Sequence, residues 1–367
     1  MCLIRIIGAV GTCVLTTLSR WTCVATRKTK ASERTNLLDA CVNGDVAEVE
    51  RALQAGANVE SRNADGWTPL IIAADIGNVD IARMLLKDGA DVNATTPRGS
   101  PALRMAAAGG HVAVARLLLE AGANPNILAD DSYAPLTIAA VRGHTEVVRL
   151  LVEYKAYLDI QLCCGNTALG IACENGMVNT VEKLLEAGAS VDLLDNDGWT
   201  PLIIAVLNGR DDITRLLLKH NADINFKGPR HITALRAATE LGNIEVVRTL
   251  ICSKASLNDP SEDGETPLFI AAKKGYHGIV QLLVNHGADL NRQSITGATA
   301  LLMASMFNHQ ESLRILLDAE ANVDLRDFCG WTALSMAYFS GYPQLVHLIL
   351  ERGPALMRDE PELIHQI

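Results

Sequence analysis

The sequence has little aromatic character and little cysteine. Its 4 Trp, 6 Tyr and 5 Phe make 15 aromatic residues among 367, and its nine cysteines are irregularly spaced. Such sparse cysteine excludes a disulfide-stapled scaffold. Because the chain is nonetheless 49% hydrophobic, leucine and alanine must supply most of its apolar surface. That composition excludes a disordered chain and favours helices over a β-sandwich.

Excess positive charge, a membrane-length hydrophobic run and catalytic motifs are missing as well. The chain has 32 basic and 42 acidic residues, and a net charge of −10 argues against a general nucleic-acid binder. The uncharged run from Ile6 to Ser19 is short of the ~20 residues that span a bilayer. We find no phosphate-binding glycine loop, dinucleotide fingerprint, Gly-x-Ser-x-Gly elbow or kinase loop. The sequence therefore predicts a protein without enzymatic activity or cofactor.

One period runs through almost the whole chain. A leucine recurs every 33 residues, an alanine follows each of these leucines by three residues, and in nine of ten cases a glycine follows by seven, Asn308 being the exception. Such a period is the signature of a repeat architecture. The repeat leucines are Leu37, Leu70, Leu103, Leu136, Leu169, Leu202, Leu235, Leu268, Leu301 and Leu334.

Each repeat is predicted to hold two helices. In the second repeat, Thr68 is placed to cap a short helix and Pro69 suits its first turn. Gly77 suits the left-handed stop of that helix. Apolar residues at helical spacing then predict a second helix over 79–87.

These repeats resemble the ankyrin repeat. The resemblance rests on motifs such as Asp65-Gly66-Trp67-Thr68-Pro69-Leu70 and Asp197-Gly198-Trp199-Thr200-Pro201-Leu202, and on helix exits such as Gly89-Ala90-Asp91-Val92-Asn93. It implies an all-α ankyrin-repeat solenoid of helix-turn-helix units with β-hairpin-like tips over residues 33–355. It also implies a non-enzymatic scaffold or adaptor that binds other proteins through the tips and the exposed face of the first helices.

The sequence departs from the family pattern at identifiable places. The residue after each repeat leucine is never the usual histidine, and in five repeats it is a large apolar residue, so packing is expected to replace a polar contact. Gly170 in that position should weaken its helix by roughly 1 kcal/mol relative to alanine. In the last repeat, Tyr338 replaces an alanine and Pro343 is expected to interrupt the second helix. The first and last repeats are expected to act as caps.

The two ends differ from the array. Residues 1–32 carry five basic and no acidic residues, which fits a disordered leader of a cytoplasmic protein, a mitochondrial presequence or a secretory signal. The alternative to a cytoplasmic scaffold is therefore a membrane- or organelle-associated regulator addressed by residues 1–32. Residues 356–367 form a short tail, and we expect the array to be monomeric.

Candidate contact residues lie at the tips, and all four aromatic candidates stand three residues before a repeat leucine. Aromatic side chains there would anchor a partner if exposed, or would pack over the next tip. Charged tip residues alternate in sign, which predicts a protein partner with a net-basic, mixed-charge surface and no nucleic acid. The candidates are Trp67, Tyr133, Trp199, Trp331, Arg98, Asp131, Asp197, Arg230, Asp263 and Glu265.

Metal binding and modification give weaker signals. His111, His144 and His309 share one repeat position but lie in different repeats, so we expect no metal site. Cys41 and Cys173 occupy an alanine position and are expected to be buried thiols. The family resemblance implies that Asn93 could be hydroxylated, although an asparagine also suits the turn there.

Overall fold

The computed structural model describes residues 36–352. The predicted leader, residues 1–32, and tail, residues 356–367, lie outside the described residues. The described residues form two compact units, which meet in sequence between Asp197 and Gly198. Within residues 36–352 there is no strand, and the single β-bridge joins Thr95 to Pro101. The all-α prediction is confirmed, and the hairpin-like tips are turns.

The first unit contains five helix pairs among its described residues. They are α1 Leu37–Asn43 with α2 Val46–Gln54, α3 Pro69–Ile76 with α4 Val79–Lys87, α5 Ala102–Gly109 with α6 Val112–Glu120, α7 Pro135–Arg142 with α8 Thr145–Glu153, and α9 Ala168–Asn175 with α10 Val178–Glu186.

The second unit repeats the arrangement. Its pairs are α11 Pro201–Leu207 with α12 Asp211–Lys219, α13 Ala234–Leu241 with α14 Ile244–Cys252, α15 Pro267–Lys274 with α16 His277–Asn285, α17 Ala300–Met306 with α18 Gln310–Asp318, and α19 Ala333–Phe339 with α20 Pro343–Arg352. A 3₁₀ turn, Pro229–His231, precedes α13.

The predicted helix signals act as expected. The Thr68 hydroxyl accepts a hydrogen bond from the Ile71 N–H (3.3 Å), and Pro69 opens α3. Gly77 ends α3 with φ of 76°, a value that favours glycine. Asn308, the one departure from the glycine pattern, also has a positive φ of 57°, which asparagine tolerates better than most residues.

The prediction for Pro343 is wrong. Pro343 is the first residue of α20, which continues to Arg352. At the first position of a helix, proline loses no intrahelical hydrogen bond and its fixed φ suits the helix. The proline therefore starts the second helix of the last repeat instead of interrupting it.

The core of each unit consists of the repeated small and aliphatic residues. Repeat leucines such as Leu103 and Leu334 are fully buried, and so are Cys41 and Cys173, as predicted. Burial raises the pKa of the Cys41 thiol to about 12, so this thiol stays protonated and unreactive at neutral pH. The large apolar residues that replace histidine after the repeat leucine are all buried as well: Leu38, Ile71, Ile203, Phe269 and Leu302.

Within each unit, neighbouring repeats are joined by side-chain to backbone hydrogen bonds of constant spacing. A carboxylate or amide oxygen accepts the backbone N–H of the residue 31 positions later, at 2.8–3.0 Å. We call this set the 31-residue ladder. Its acceptors are Glu60, Asn93, Asn126 and Asp159 in the first unit and Asn225, Asn258 and Asn291 in the second.

The shared histidines join neighbouring repeats in a second way. The Nε2 atoms of His111 and His144 lie 3.0 and 3.1 Å from the carbonyl oxygens of Asp75 and Ala108. The His111 ring also covers Gly77, where a Cβ would come within 2.4 Å of it. These side chains therefore hold the C-terminal end of the first helix of one repeat against the next repeat.

Candidate interaction surface

The tips are tight turns closed by backbone hydrogen bonds. At the tip before α3, the Asn63 N–H donates to the Trp67 carbonyl (3.1 Å) and the Gly66 N–H donates to the Asn63 carbonyl (2.9 Å). The same pattern recurs before α19, between Asp327 and Trp331. Each tip thus projects two or three residues from a rigid turn. The residue three before the repeat leucine lies where the turn enters the first helix.

Two of the four tip aromatics are not available to a partner. Trp199 is 2% exposed and Tyr133 is 7% exposed. The Trp199 ring lies against Gly228 in the following tip, where a Cβ would come within 2.9 Å of it. The possibility that all four rings are exposed anchors is wrong for these two, and for Trp199 the packing alternative holds.

The other two aromatic residues stay partly exposed to solvent. Trp67 and Trp331 are half-buried, and their backbone N–H groups donate to the side chains of Asn63 and Asp327 (2.8 Å each). The Trp331 ring meets the Phe339 ring edge to face, with 5.0 Å between centroids. The backbone of both tryptophans is therefore held by its own tip, and part of each residue stays exposed.

Buried arginines bind two of the predicted contact residues. Arg104, which follows a repeat leucine, is 2% exposed, and its guanidinium lies 2.5 Å from the Asp131 carboxylate and 2.7 Å from the Ser100 hydroxyl. Burial lowers the pKa of Arg104, and Asp131 opposes that shift by favouring the charged form. Asp131 thus holds the Arg104 side chain from the following tip.

The second unit has a similar network. Arg236 lies 3.1 Å from the Glu265 carboxylate, which also binds Lys273 at 2.9 Å. Arg236 and Glu265 are both largely buried. The Glu265 carboxylate, one of the predicted contact residues, is therefore shared between two cations of its own chain.

The remaining charged candidates are more exposed. Arg230 and Asp263 form an ion pair across neighbouring tips (3.0 Å) and both stay about half exposed. Arg98 and Asp197 are exposed. Because Asp131 and Glu265 bind buried arginines of the chain itself, the support for a net-basic partner is removed at these two positions. Asp263 keeps about half of its side-chain surface but shares its charge with Arg230.

The predicted hydroxylation site belongs to the 31-residue ladder. The Asn93 side-chain oxygen accepts the Asn124 N–H (2.8 Å), and the Asn93 N–H donates to Asp91 (2.9 Å). Asn93 thus has a structural role between two repeats, and its modification stays a prediction.

The described part of the chain offers neither a metal-binding cluster nor a membrane-crossing helix. Between residues 36 and 352, no three His, Cys, Asp or Glu side chains are grouped so that they could hold a metal ion. None of the helices in that range combines the length and the apolarity that a membrane crossing requires.

Comparison with known proteins agrees with this geometry. The family model for ankyrin repeats (three copies) matches residues 12–96, 91–162, 154–228, 226–294 and 292–359. The chain belongs to the ankyrin-repeat family. No curated protein matches it. The first match begins inside residues 1–32, the segment for which the sequence predicts a leader.

Ankyrin repeats are generally protein–protein interaction modules and are typically not enzymes. In this ankyrin protein, the sequence did not predict the exposed apolar residues at the C-terminal ends of the first helices of the last two repeats. Met306, Phe307 and Phe339 are 42%, 44% and 65% exposed. These residues occupy the two positions before the repeat glycine or Asn308. The sequence signal there was weak, because earlier repeats carry polar residues such as Asp75 and Lys274 but also apolar ones such as Ile76 and Leu241.

Proposed function

We propose that this ankyrin protein is a non-enzymatic scaffold or adaptor that binds partner proteins through its tips and the exposed face of its first helices. The observation that carries the proposal is the division between repeated and variable positions. The repeated leucines and alanines are buried, whereas variable positions such as Arg98, Asp197 and Phe339 are exposed. Side chains not used for packing are free to differ between repeats and to select a partner.

The contact residues carried forward are those with exposed surface. Trp67, Arg98, Asp197, Arg230, Asp263 and Trp331 lie in this group. Tyr133, Trp199, Asp131 and Glu265 support the tips from within. A test that replaces the buried aromatics would disturb the tips and could not separate binding from folding.

The test is affinity capture with a tip variant. The variant combines Trp67→Ala, Arg98→Glu, Asp197→Lys and Trp331→Ala in the full chain. A matched control carries Asp80→Lys and Glu120→Lys, two exposed residues on second helices. Proteins quantified by mass spectrometry should be captured by the wild type and the control but lost with the tip variant, at unchanged helical circular dichroism. Equal capture by the tip variant would overturn the proposed surface.

The cellular address is a separate prediction. A cytoplasmic location is expected if residues 1–32 have no targeting role. A membrane or organelle location is expected if they are a targeting segment. Imaging the tagged chain with and without these residues distinguishes the two. A change of compartment on removal supports the regulator alternative, and identical diffuse signals support the cytoplasmic scaffold.

A further inference from the structure

Large apolar side chains are exposed at the ends of two successive first helices in the second unit. Met306 ends α17 and Phe307 follows it, and Phe339 ends α19. The corresponding residues at the end of α15 are Lys273 and Lys274. Exposed apolar residues that cluster mark binding surfaces more often than single ones do.

These side chains continue an apolar cluster of the same unit. Phe269, Leu302 and Met303 are buried together, and Trp331 and Met336 pack against them. Phe339 contacts Trp331 edge to face, with 84° between the rings. Phe307 lies four residues after Met303 and therefore on the same face of that segment. A buried floor is thus flanked by exposed aromatic rings.

One end of this surface carries positive charge. Lys273 Nζ lies 5.7 Å from the centre of the Phe269 ring and binds Glu265, while Lys274 binds Glu240 at 3.0 Å. Since Glu265 also binds Arg236, three cations face two carboxylates. Each lysine already binds a carboxylate of the chain, but the Lys273 and Lys274 side chains stay 38% and 39% exposed, so a carboxylate of a ligand can also reach them beside the apolar floor.

The net charge of the surrounding unit permits an acidic ligand. Residues 198–352 contain 14 Lys and Arg against 16 Asp and Glu, whereas residues 36–197 contain 11 against 22. Most of the acidity of the chain therefore belongs to the first unit. An acidic segment would meet little general repulsion from the second unit.

We infer that Lys273, Lys274, Met306, Phe307, Trp331 and Phe339 form a docking surface for a short segment of a partner protein that carries large apolar side chains beside acidic residues. The inference rests on the proposed function and specifies where binding occurs and what chemistry the partner has. The apolar side chains of the segment cover the aromatic rings, and its carboxylates face the two lysines.

A random 16-residue peptide library displayed on phage, selected on the full chain, tests this inference. Enriched peptides should combine Leu, Phe, Trp or Met with Asp or Glu. Measured as free peptides by fluorescence anisotropy, they should bind Phe307→Ser/Phe339→Ser at least about 10-fold more weakly than wild type, because exposed aromatic anchors dominate such interfaces. Tyr157→Ser, which removes an exposed aromatic residue of the first unit, is the matched control and should bind as wild type does.

A second variant tests the charge. Lys273→Gln/Lys274→Gln should weaken the acidic peptides and reduce the salt dependence of their binding. Enrichment of basic peptides, equal binding to the serine variant, or no enrichment at all would each overturn the inference. The two experiments share Trp331 but fail separately. If the wild type captures partner proteins that the tip variant loses, while the selected peptides fail, the docking surface falls and the proposed function stands.

Discussion

Two arginines show how single residues reshape this repeat. Arg104 and Arg236 stand where the family usually has histidine, and both are buried with a carboxylate from the following tip. A buried guanidinium is costly unless its charge is paired and its donors are hydrogen-bonded. In repeats that carry Ile71 or Leu302 at this position, apolar packing replaces the pair. At this position the chain therefore uses apolar packing in five repeats and a buried ion pair in two.

Removing the carboxylate bound by Arg104 should be destabilising. We expect Asp131→Asn to lower the free energy of unfolding by about 2 kcal/mol, less than for a fully buried pair because Asp131 is partly exposed. Urea unfolding followed by circular dichroism measures the change. Asp130→Asn, at the exposed neighbour, is the control and should change stability by less than ~0.5 kcal/mol. Equal effects of the two variants would contradict the role of the pair.

A second residue-scale prediction concerns pH. Burial, together with the nearby Asp195, raises the pKa of Glu174 from 4.5 to about 7. The folded state therefore binds the proton more tightly than the unfolded state, and the charged form costs stability as pH rises from 4.5 to 7. We expect Glu174→Gln to be more stable than wild type at pH 8, by about 1 kcal/mol after allowance for solvent screening.

The pH dependence of that gain is the decisive measurement. Thermal unfolding of both proteins between pH 4.5 and pH 8 should show the advantage of Glu174→Gln shrinking towards pH 4.5, where wild-type Glu174 is protonated in the folded state. A constant difference across this range would show that the gain does not come from titration of Glu174.

At the scale of the helix, α9 contains the one glycine after a repeat leucine. A Cβ at Gly170 would lie 1.9 Å from the side-chain oxygen of Asn166, which occupies the tip position of that repeat. Asn166 is itself buried. An alanine at position 170 would therefore force the Asn166 side chain to move.

This close contact predicts a coupling between two substitutions. Gly170→Ala alone gains helix propensity but clashes with Asn166, whereas in an Asn166→Ala background the full gain of about 1 kcal/mol should emerge. A double-mutant cycle of unfolding free energies measures the coupling. Additive effects of the two substitutions would show that Asn166 does not restrict the size of the side chain at position 170.

Local sequence signals were sufficient for the elements and insufficient for their mutual contacts. The helix over 79–87 and its threonine, proline and glycine boundaries follow from residues a few positions apart. Pro343 was misread because its place within the helix decides its effect. The burial of Trp199 depends on Gly228, and the Arg104 pair joins residues 27 positions apart, so the single-repeat pattern carries neither.

At the scale of the whole chain, length should change only by complete repeats. Deleting residues 79–111 removes one period and joins Asn78 to Val112, which starts the equivalent helix. Glu60 would then meet Asn124 in place of Asp91, so the 31-residue ladder is kept. We expect this variant to keep its helical content per residue by circular dichroism. Deleting only residues 79–110 adds one residue to the inter-helix turn and should unfold at lower urea concentration.

The 31-residue ladder also has a consequence for how such a chain can diversify. Since each rung joins a side chain to a backbone group, it depends on spacing and not on the identity of the residue that donates the N–H. Asp91, Asn124, Tyr157 and Ser190 all serve as donors. The ladder thus tolerates substitution of the donor residue but not insertions that change the 31-residue spacing. New binding specificities can therefore arise by exchange of exposed side chains while the repeat length stays constant.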